Sequence, residues 1–446
     1  MDGTTTGVST GTLLVPEWLI TSADEPPRRG VAARIVGAHI DAVDDHQRLR
    51  MLYPDDEVVS APDCVLMPGF VNAHTHLYGT LAHGIPVDPV ESFWSFLADY
   101  WWPKVEDRLD HTMIEAATDW VCAEMLQGGT TSFYDILEAP HAIPEALLVE
   151  KEIVERRGLR GVLSFEATER VSTANGTLGL MENVRLIEAS RTSSLVSGMM
   201  CFHTTFTCSG PFIQRAFALA GEHEVLVHAH CNEGVHEAEW CLRNVGLRTV
   251  EYYDSLGVLS PSFLASQCVQ IADRERALLA ERGVRVSHMP LANCEVGGGI
   301  APIPELLTAG VTVGLGSDGY VNDFFEVMRA ASLLHKARLL DPATMPAATV
   351  FRMATEGAAR AIGLNRVGRV EPGWAADLQL VDVRFPTPVT AHNLFDQLVL
   401  WRNQSHVRDV MVAGRWQVRN SEVLGADVDT LRAHVQEQAA RLWASS

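Results

Sequence analysis

Helical and strand-like patterns alternate through residues 67–369, and short β-rich runs flank them at both chain ends. Together they predict an α/β protein: a (β/α)8 TIM barrel, with a small composite β-sandwich domain built from residues 1–66 and 370–446. A third observation agrees. Apolar strand-like runs end in histidine or aspartate at three separate places, and a parallel barrel gathers its active site at such strand ends. At 446 residues the chain suits a barrel of roughly 250–300 residues plus a smaller domain.

The first flank carries β-rich runs at 12–15, 31–36 and 39–43, punctuated by Gly, Pro and Asp. Cys64 through Met67 reads as a buried strand broken at Pro68 and Gly69, with Val71 and Ala73 continuing it toward His74 and His76. An aromatic cluster follows: Phe93, Trp94, Phe96, Tyr100, Trp101 and Trp102. It reads either as a helix packed on the barrel mouth or as a lid whose aromatic face touches substrate. Residues 112–127 have helical spacing and stop at Gly128 and Gly129. Strand-like runs at 130–135, 161–166, 198–203, 225–230, 284–288 and 311–318 supply more of the barrel. The β texture returns at 376–383 and 407–418, before a terminal helix over 428–444.

Hydrophobic content of 47% and charged content of 20% are those of a soluble globular protein. A net charge of −21 opposes nucleic acid or an anionic membrane as partner. No stretch approaches the apolar length of a membrane span, and residues 1–7 lack the basic start and apolar core of a signal peptide. Eight cysteines, several within apolar runs, suit free thiols in a reducing compartment. The expected setting is cytoplasmic, with a small-molecule substrate and assembly into a dimer or larger homo-oligomer.

Residues two apart on a strand share a face, so His74 and His76 aim both imidazoles at one point. That arrangement suits a divalent transition metal. The 225–230 run ends in His230, followed by Cys231, Asn232 and Glu233, and the 311–318 run ends in Asp318. His74, His76, His230 and Asp318 make three nitrogens and one carboxylate with room for water, a catalytic rather than a closed structural set. Cys231 has the wrong strand parity to join them, whereas His228 shares a face with His230 and is a reserve ligand. Lys104 is the only lysine between His74 and Lys151, and nothing places it as a carbamate bridge, so a single metal is preferred.

The runs Pro68-Gly-Phe-Val-Asn-Ala-His-Thr-His76, His230-Cys-Asn-Glu233 and Gly316-Ser-Asp318 resemble the metal-dependent amidohydrolase superfamily, in its cytosine-deaminase and chlorohydrolase branch. Residues 100–104, 202–207 and 317–326 look most like SsnA-type aminohydrolases, and 367–377 is similar to the return into that family's composite β domain. The resemblance covers nearly the whole chain. It implies one metal, zinc before iron, on His74, His76, His230 and Asp318. A bound metal lowers the pKa of water toward about 7. Asp318 then both ligates and accepts a proton, while Glu233 carries protons to the leaving nitrogen. His203 is expected at the substrate's polar edge, with His288, Trp94 and Trp101 as further substrate contacts.

One position departs from the pattern. Where the family reads Ala-His-Cys-Val-His on its sixth strand, this chain has Ser266-Gln-Cys-Val-Gln270. Gln267, expected among the catalytic residues, can hydrogen-bond but cannot titrate or carry charge near pH 7. His288 is a candidate replacement, although the family commonly carries a histidine there too. Three explanations stand: a different leaving group, which is favoured; a site that has lost activity; or a substitution introduced to trap substrate. The expected function is hydrolysis of a C–N bond in a small heterocyclic or amide-like substrate, of the deaminase type. The alternatives are hydrolysis of a cyclic amide, urea, carbamate or halide, and a catalytically disabled metal-bearing binding protein.

Overall fold

The computed structural model describes residues 10–87 and 89–444. The 1–7 run tested for a signal peptide lies outside them. Eight strands form the central barrel: Phe70–Thr75, Thr130–Leu137, Arg160–Phe165, Val196–Gly198 continued by Met200–Cys201, Val227–Cys231, Phe263–Gln267, Arg285–His288 and Val313–Leu315. Each pairs in parallel with the next. The fourth strand is interrupted at Met199, whose amide crosses back to Leu163 O at 3.1 Å. The ring closes where Thr75 bridges Asp318 in parallel. The amides of both Ser317 and Asp318 donate to His74 O at 3.0 Å. The first and last strands are thus joined at the residues proposed to bind metal.

The barrel strands are buried on both faces, Thr130–Leu137 along its whole length, as strands covered by helices outside and packed side chains inside must be. Helix His111–Gln127 shows how the sequence sets an element. The Asp110 carboxylate accepts from Met113 N at 2.9 Å and caps its start. Gly128 and Gly129 end it, and Gly129 has φ +86° with the Gln379 amide 2.1 Å from where a Cβ would stand.

Both chain ends meet in one continuous eight-stranded sheet. Its central member, Glu57–Pro68, pairs in parallel with Thr12–Leu19 and antiparallel with Leu378–Asp382. Ile35, Ile40 and Met411, from strands far apart in this sheet, pack into one core with Val370, which lies outside its strands, so the sheet curls over itself. Glu57–Pro68 then passes through Gly69 straight into the first barrel strand. A Cβ at Gly69 would lie 2.2 Å from the Thr131 side chain, so only glycine permits that crossing. The terminal helix Val428–Ala444, expected with the β-rich flank, packs instead against the barrel. Arg441 pairs with Asp110 at 2.7 Å, and Trp443 Nε1 donates to Leu81 O at 2.7 Å. Among the described residues, no helix is long and apolar enough to cross a membrane.

Candidate active site

His74 and His76 leave the first barrel strand, and His230 sits in the fifth. The His74 ring is edge-on to both His76 and His230, with centroids 5.0 Å away in each case. Ring nitrogens of the three lie within 4.8 Å of one another. His76 Nδ1 is 2.7 Å from Ile136 O and donates to it, which turns Nε2 toward Asp318. Asp318 Oδ1 stands 3.4 Å from His76 Nε2 and 3.8 Å from His74 Nε2. His230 Nδ1 lies 2.6 Å from Glu166 Oε1, a close contact without hydrogen-bond geometry. His74 is fully buried, and neither of its ring nitrogens has a hydrogen-bond partner. An imidazole so placed costs free energy unless something else engages it. Burial, reinforced by the neighbouring histidines, pushes the His74 pKa well below its ordinary value. Burial also lowers that of His230. Neutral imidazole is the ligating form, so the donor set fits a divalent transition metal.

The alternation breaks where the fifth, sixth and eighth strands reach the site. Asn232, Gln267, Cys268 and Asp318 all have positive φ, between +50° and +69°. Such left-handed backbone in non-glycine residues costs roughly 1–3 kcal/mol each and persists only where surroundings enforce it. Here the Asn232 amide donates to Glu237 Oε2 at 2.5 Å. Gln267 Nε2 donates to Asp318 Oδ2 at 2.8 Å.

A cavity of about 490 Å³ opens above the histidines. Glu233, His203, Trp94 and Trp101 stand on its wall, together with His76, His230 and Asp318. Burial, with Asp318, Glu166 and Glu237 adding repulsion, pushes the Glu233 carboxyl well above the usual carboxylate range. His203 Nδ1 is 2.8 Å from Thr207 Oγ1, leaving Nε2 for a ligand. Residues 93–104 are helical, with a π-helical turn over Phe96–Trp101. They carry the aromatic cluster across the mouth. Trp94 lies flat on His236 at 4.0 Å between centroids, and Trp101 leans on Tyr78 at 6.2 Å.

Two expectations change. His288 does not reach the cavity wall; it is buried with Nε2 3.3 Å from His335 Nε2, against helix Phe324–Leu339. It stands away from the cavity, apart from the position expected of a substrate contact. Gln267 is also fully buried and off the wall, its reach ending at Asp318. Its side-chain contact is with Asp318. Of the other residues weighed, His228 lies behind the site with Nδ1 3.3 Å from Cys201 Sγ, Cys231 is a buried free cysteine, and Lys104 lies over the Tyr100 ring.

Glu166 was missed by sequence reading. It ends a strand-like run at 161–166 just as Asp318 ends its own, and that parallel was the available signal. Burial raises its carboxyl to about 7, against the opposing pull of His76. Behind it, Arg170 is held by Glu138 at 2.5 Å, Asp107 at 2.8 Å and Glu106 at 3.1 Å.

The profile of the amidohydrolase family matches residues 65–417, most of the chain. The chain belongs to the amidohydrolase family. Relatives extend the match beyond the barrel. A protein of Syntrophobacter fumaroxidans named 5-methylthioadenosine/S-adenosylhomocysteine deaminase is 34% identical over 96% of this chain and 98% of its own. A 5′-deoxyadenosine deaminase of Methanothermobacter thermautotrophicus is 35% identical over 82% of this chain and 85% of its own. Among solved structures, an adenosine deaminase of Xanthomonas campestris with bound zinc superposes at a TM-score of 0.90, with 27% identity over 98% and 99% of the two chains. An atrazine chlorohydrolase of Arthrobacter aurescens shares the fold at a TM-score of 0.84 and 21% identity, over 96% of this chain and all of its own. This amidohydrolase chain therefore has the family's barrel together with its added β domain.

Proposed function

We propose that the protein is a zinc-dependent deaminase that hydrolyses the exocyclic C–N bond of an adenine-nucleoside-like amino-heterocycle. The observation that carries this reading is His74, a fully buried imidazole with both nitrogens unpartnered, at the meeting point of His76, His230 and Asp318. Three imidazoles and a carboxylate are a zinc donor set. The zinc bound in the 27% identical adenosine deaminase supports zinc before iron. When bound, the metal lowers the pKa of water toward about 7.

The chain's own groups divide the remaining work. Asp318 turns Oδ1 to the histidines and Oδ2 to Gln267, so its carboxylate is oriented to receive a proton at the metal side. Glu233, whose surroundings favour its protonated form, is placed on the wall to deliver a proton to the leaving nitrogen. His203 offers Nε2 to the polar edge of a heterocycle. Trp94 and Trp101 cover the mouth and exclude bulk water. Glu166 sets a carboxylate oxygen 2.6 Å from Nδ1 of His230, beside that ligand.

The names of the relatives near one-third identity make adenine nucleosides the first substrates to test. A second reading, a different leaving group, rests on Gln267, which replaces a titratable histidine by a neutral amide. The deciding experiment loads the protein with zinc and follows ammonia release from adenosine, 5′-deoxyadenosine and 5′-methylthioadenosine, beside a panel of cyclic amides, ureas, carbamates and halogenated heterocycles. Ammonia from the nucleosides is expected. Turnover confined to the second panel would select the other leaving group, and turnover of nothing would overturn the enzyme reading.

A further inference from the structure

Glu237 ties together two loops that carry different parts of the site. It lies in the first turn of helix Val235–Asn244, one helical turn past Glu233, and it is buried. Oε2 accepts from the Asn232 amide at 2.5 Å, while Oε1 accepts from the Thr205 amide at 3.1 Å and from Thr205 Oγ1 at 2.8 Å. Asn232 directly precedes Glu233, and Thr205 follows closely on His203. The Cys241 thiol, a further turn along the same helix, donates to Thr205 Oγ1 at 3.1 Å, which leaves the hydroxyl hydrogen for Glu237. Burial pushes the Glu237 carboxyl up, and its bonds to Asn232 and Thr205 oppose the rise.

Asn232 is held on its other sides as well. Its carbonyl accepts from the amides of Val269 at 3.1 Å and Gln270 at 2.8 Å. Its side chain accepts from Thr249 Oγ1 at 2.7 Å and donates to Glu275 Oε1 at 3.2 Å. A Cβ on Gly298 would come within 2.7 Å of the Glu233 carbonyl oxygen, so the chain has no slack on that side. These contacts enforce φ +52° at Asn232, the left-handed turn from which Glu233 is delivered to the cavity wall. Among these anchors, Glu237 also grips the loop of His203.

We propose that Glu237 is a positioning residue: it fixes Glu233, the proton donor, and His203, the contact for the heterocycle's polar edge, relative to each other as one unit. Those two roles rest on the deaminase reading; the shared anchor does not. Glutamine has the same size but a single acceptor oxygen, and its amide nitrogen would face one of the donors that Glu237 now accepts from. A misplacement of about 1 Å can cost roughly 10²-fold in rate.

The test follows ammonia release from adenosine, 5′-deoxyadenosine and 5′-methylthioadenosine by the zinc-loaded protein. Glu237→Gln is expected to keep fold and metal content while kcat falls roughly 10–10²-fold, through Glu233, and KM rises, through His203. Made in the Glu233→Gln protein, the same change should cost kcat less than about threefold, as for residues that work as a unit. A merely structural residue would multiply its full loss onto either background. Thr205→Val removes only the hydroxyl donor and serves if Glu237→Gln fails to fold; KM should rise, with kcat changed less. Hydrogen exchange reads the anchor itself: the amides of Thr205 and Asn232 should exchange at least about tenfold faster in Glu237→Gln, and that of Thr205 faster in Thr205→Val. If the native protein releases no ammonia, the deaminase reading falls, while exchange still decides whether Glu237 holds both loops. Native kcat and KM in a folded Glu237→Gln protein, independent losses in the double variant, native KM in Thr205→Val, or unchanged exchange at these amides would overturn the inference.

Discussion

Gln267 Nε2 donates to Asp318 Oδ2 at 2.8 Å, linking the end of the sixth barrel strand to the end of the eighth. The amide holds the carboxylate from behind, with both backbones in left-handed conformation, φ +69° and +60°. A glutamine does this as a fixed neutral donor at any pH. The other side-chain atom, Oε1, is buried without a partner.

Gln267→Ala should therefore release Asp318 and lower kcat by about tenfold, the scale of a lost hydrogen bond to a charged group, while metal content stays near one per chain. Gln267→His should leave the native activity unchanged or lower it, because a ring of different shape replaces a fitted amide donor. Strong ammonia release from Gln267→His, with none from the native chain on the same substrates, would mark the native protein as a disabled deaminase instead.

Metal analysis by plasma mass spectrometry should return about one transition metal per chain, and His230→Ala should lose most of it, since an open four-ligand site tolerates no missing imidazole. Chelation of the native protein should lower Tm as well, because a metal that binds only the folded state stabilises it by mass action. If both His230→Ala and Asp318→Ala keep full metal, the ligand assignment is wrong.

Glu233→Gln keeps the side chain's size and is expected to keep fold and metal while kcat drops roughly 10²-fold or more, the usual scale of a lost general acid/base. A near-normal kcat would remove Glu233 from the chemistry.

Glu166→Gln tests the carboxylate behind His230. Losing that adjacent carboxylate should weaken metal binding by about 10–100-fold in competition with a chelator, with Glu166→Asp intermediate. Unchanged affinity in both variants would reduce Glu166 to a packing residue.

Much of this protein is legible in its sequence, for a physical reason. Strand side chains alternate with period two, so His74 and His76 had to share a face, and Cys231 had to oppose His230. Apolar runs ending in His230 and Asp318 located strand ends, and the glycines after Gln127 located a helix end. Period two says nothing about which face of a strand meets the barrel's centre, nor how a side chain turns once the strand stops. Those were decided by packing between strands, where left-handed residues at 232, 267, 268 and 318 break the alternation. Hence His230 turns to the cavity while His288, also at a strand end, turns to His335. Gln267 ends behind Asp318 rather than before the substrate. Glu166 reaches His230, and Arg170 its three carboxylates, only because strands and loops far apart in the chain are brought within hydrogen-bond distance. Local sequence determined which residues carry the chemistry; the closed barrel alone decided which of them face one another.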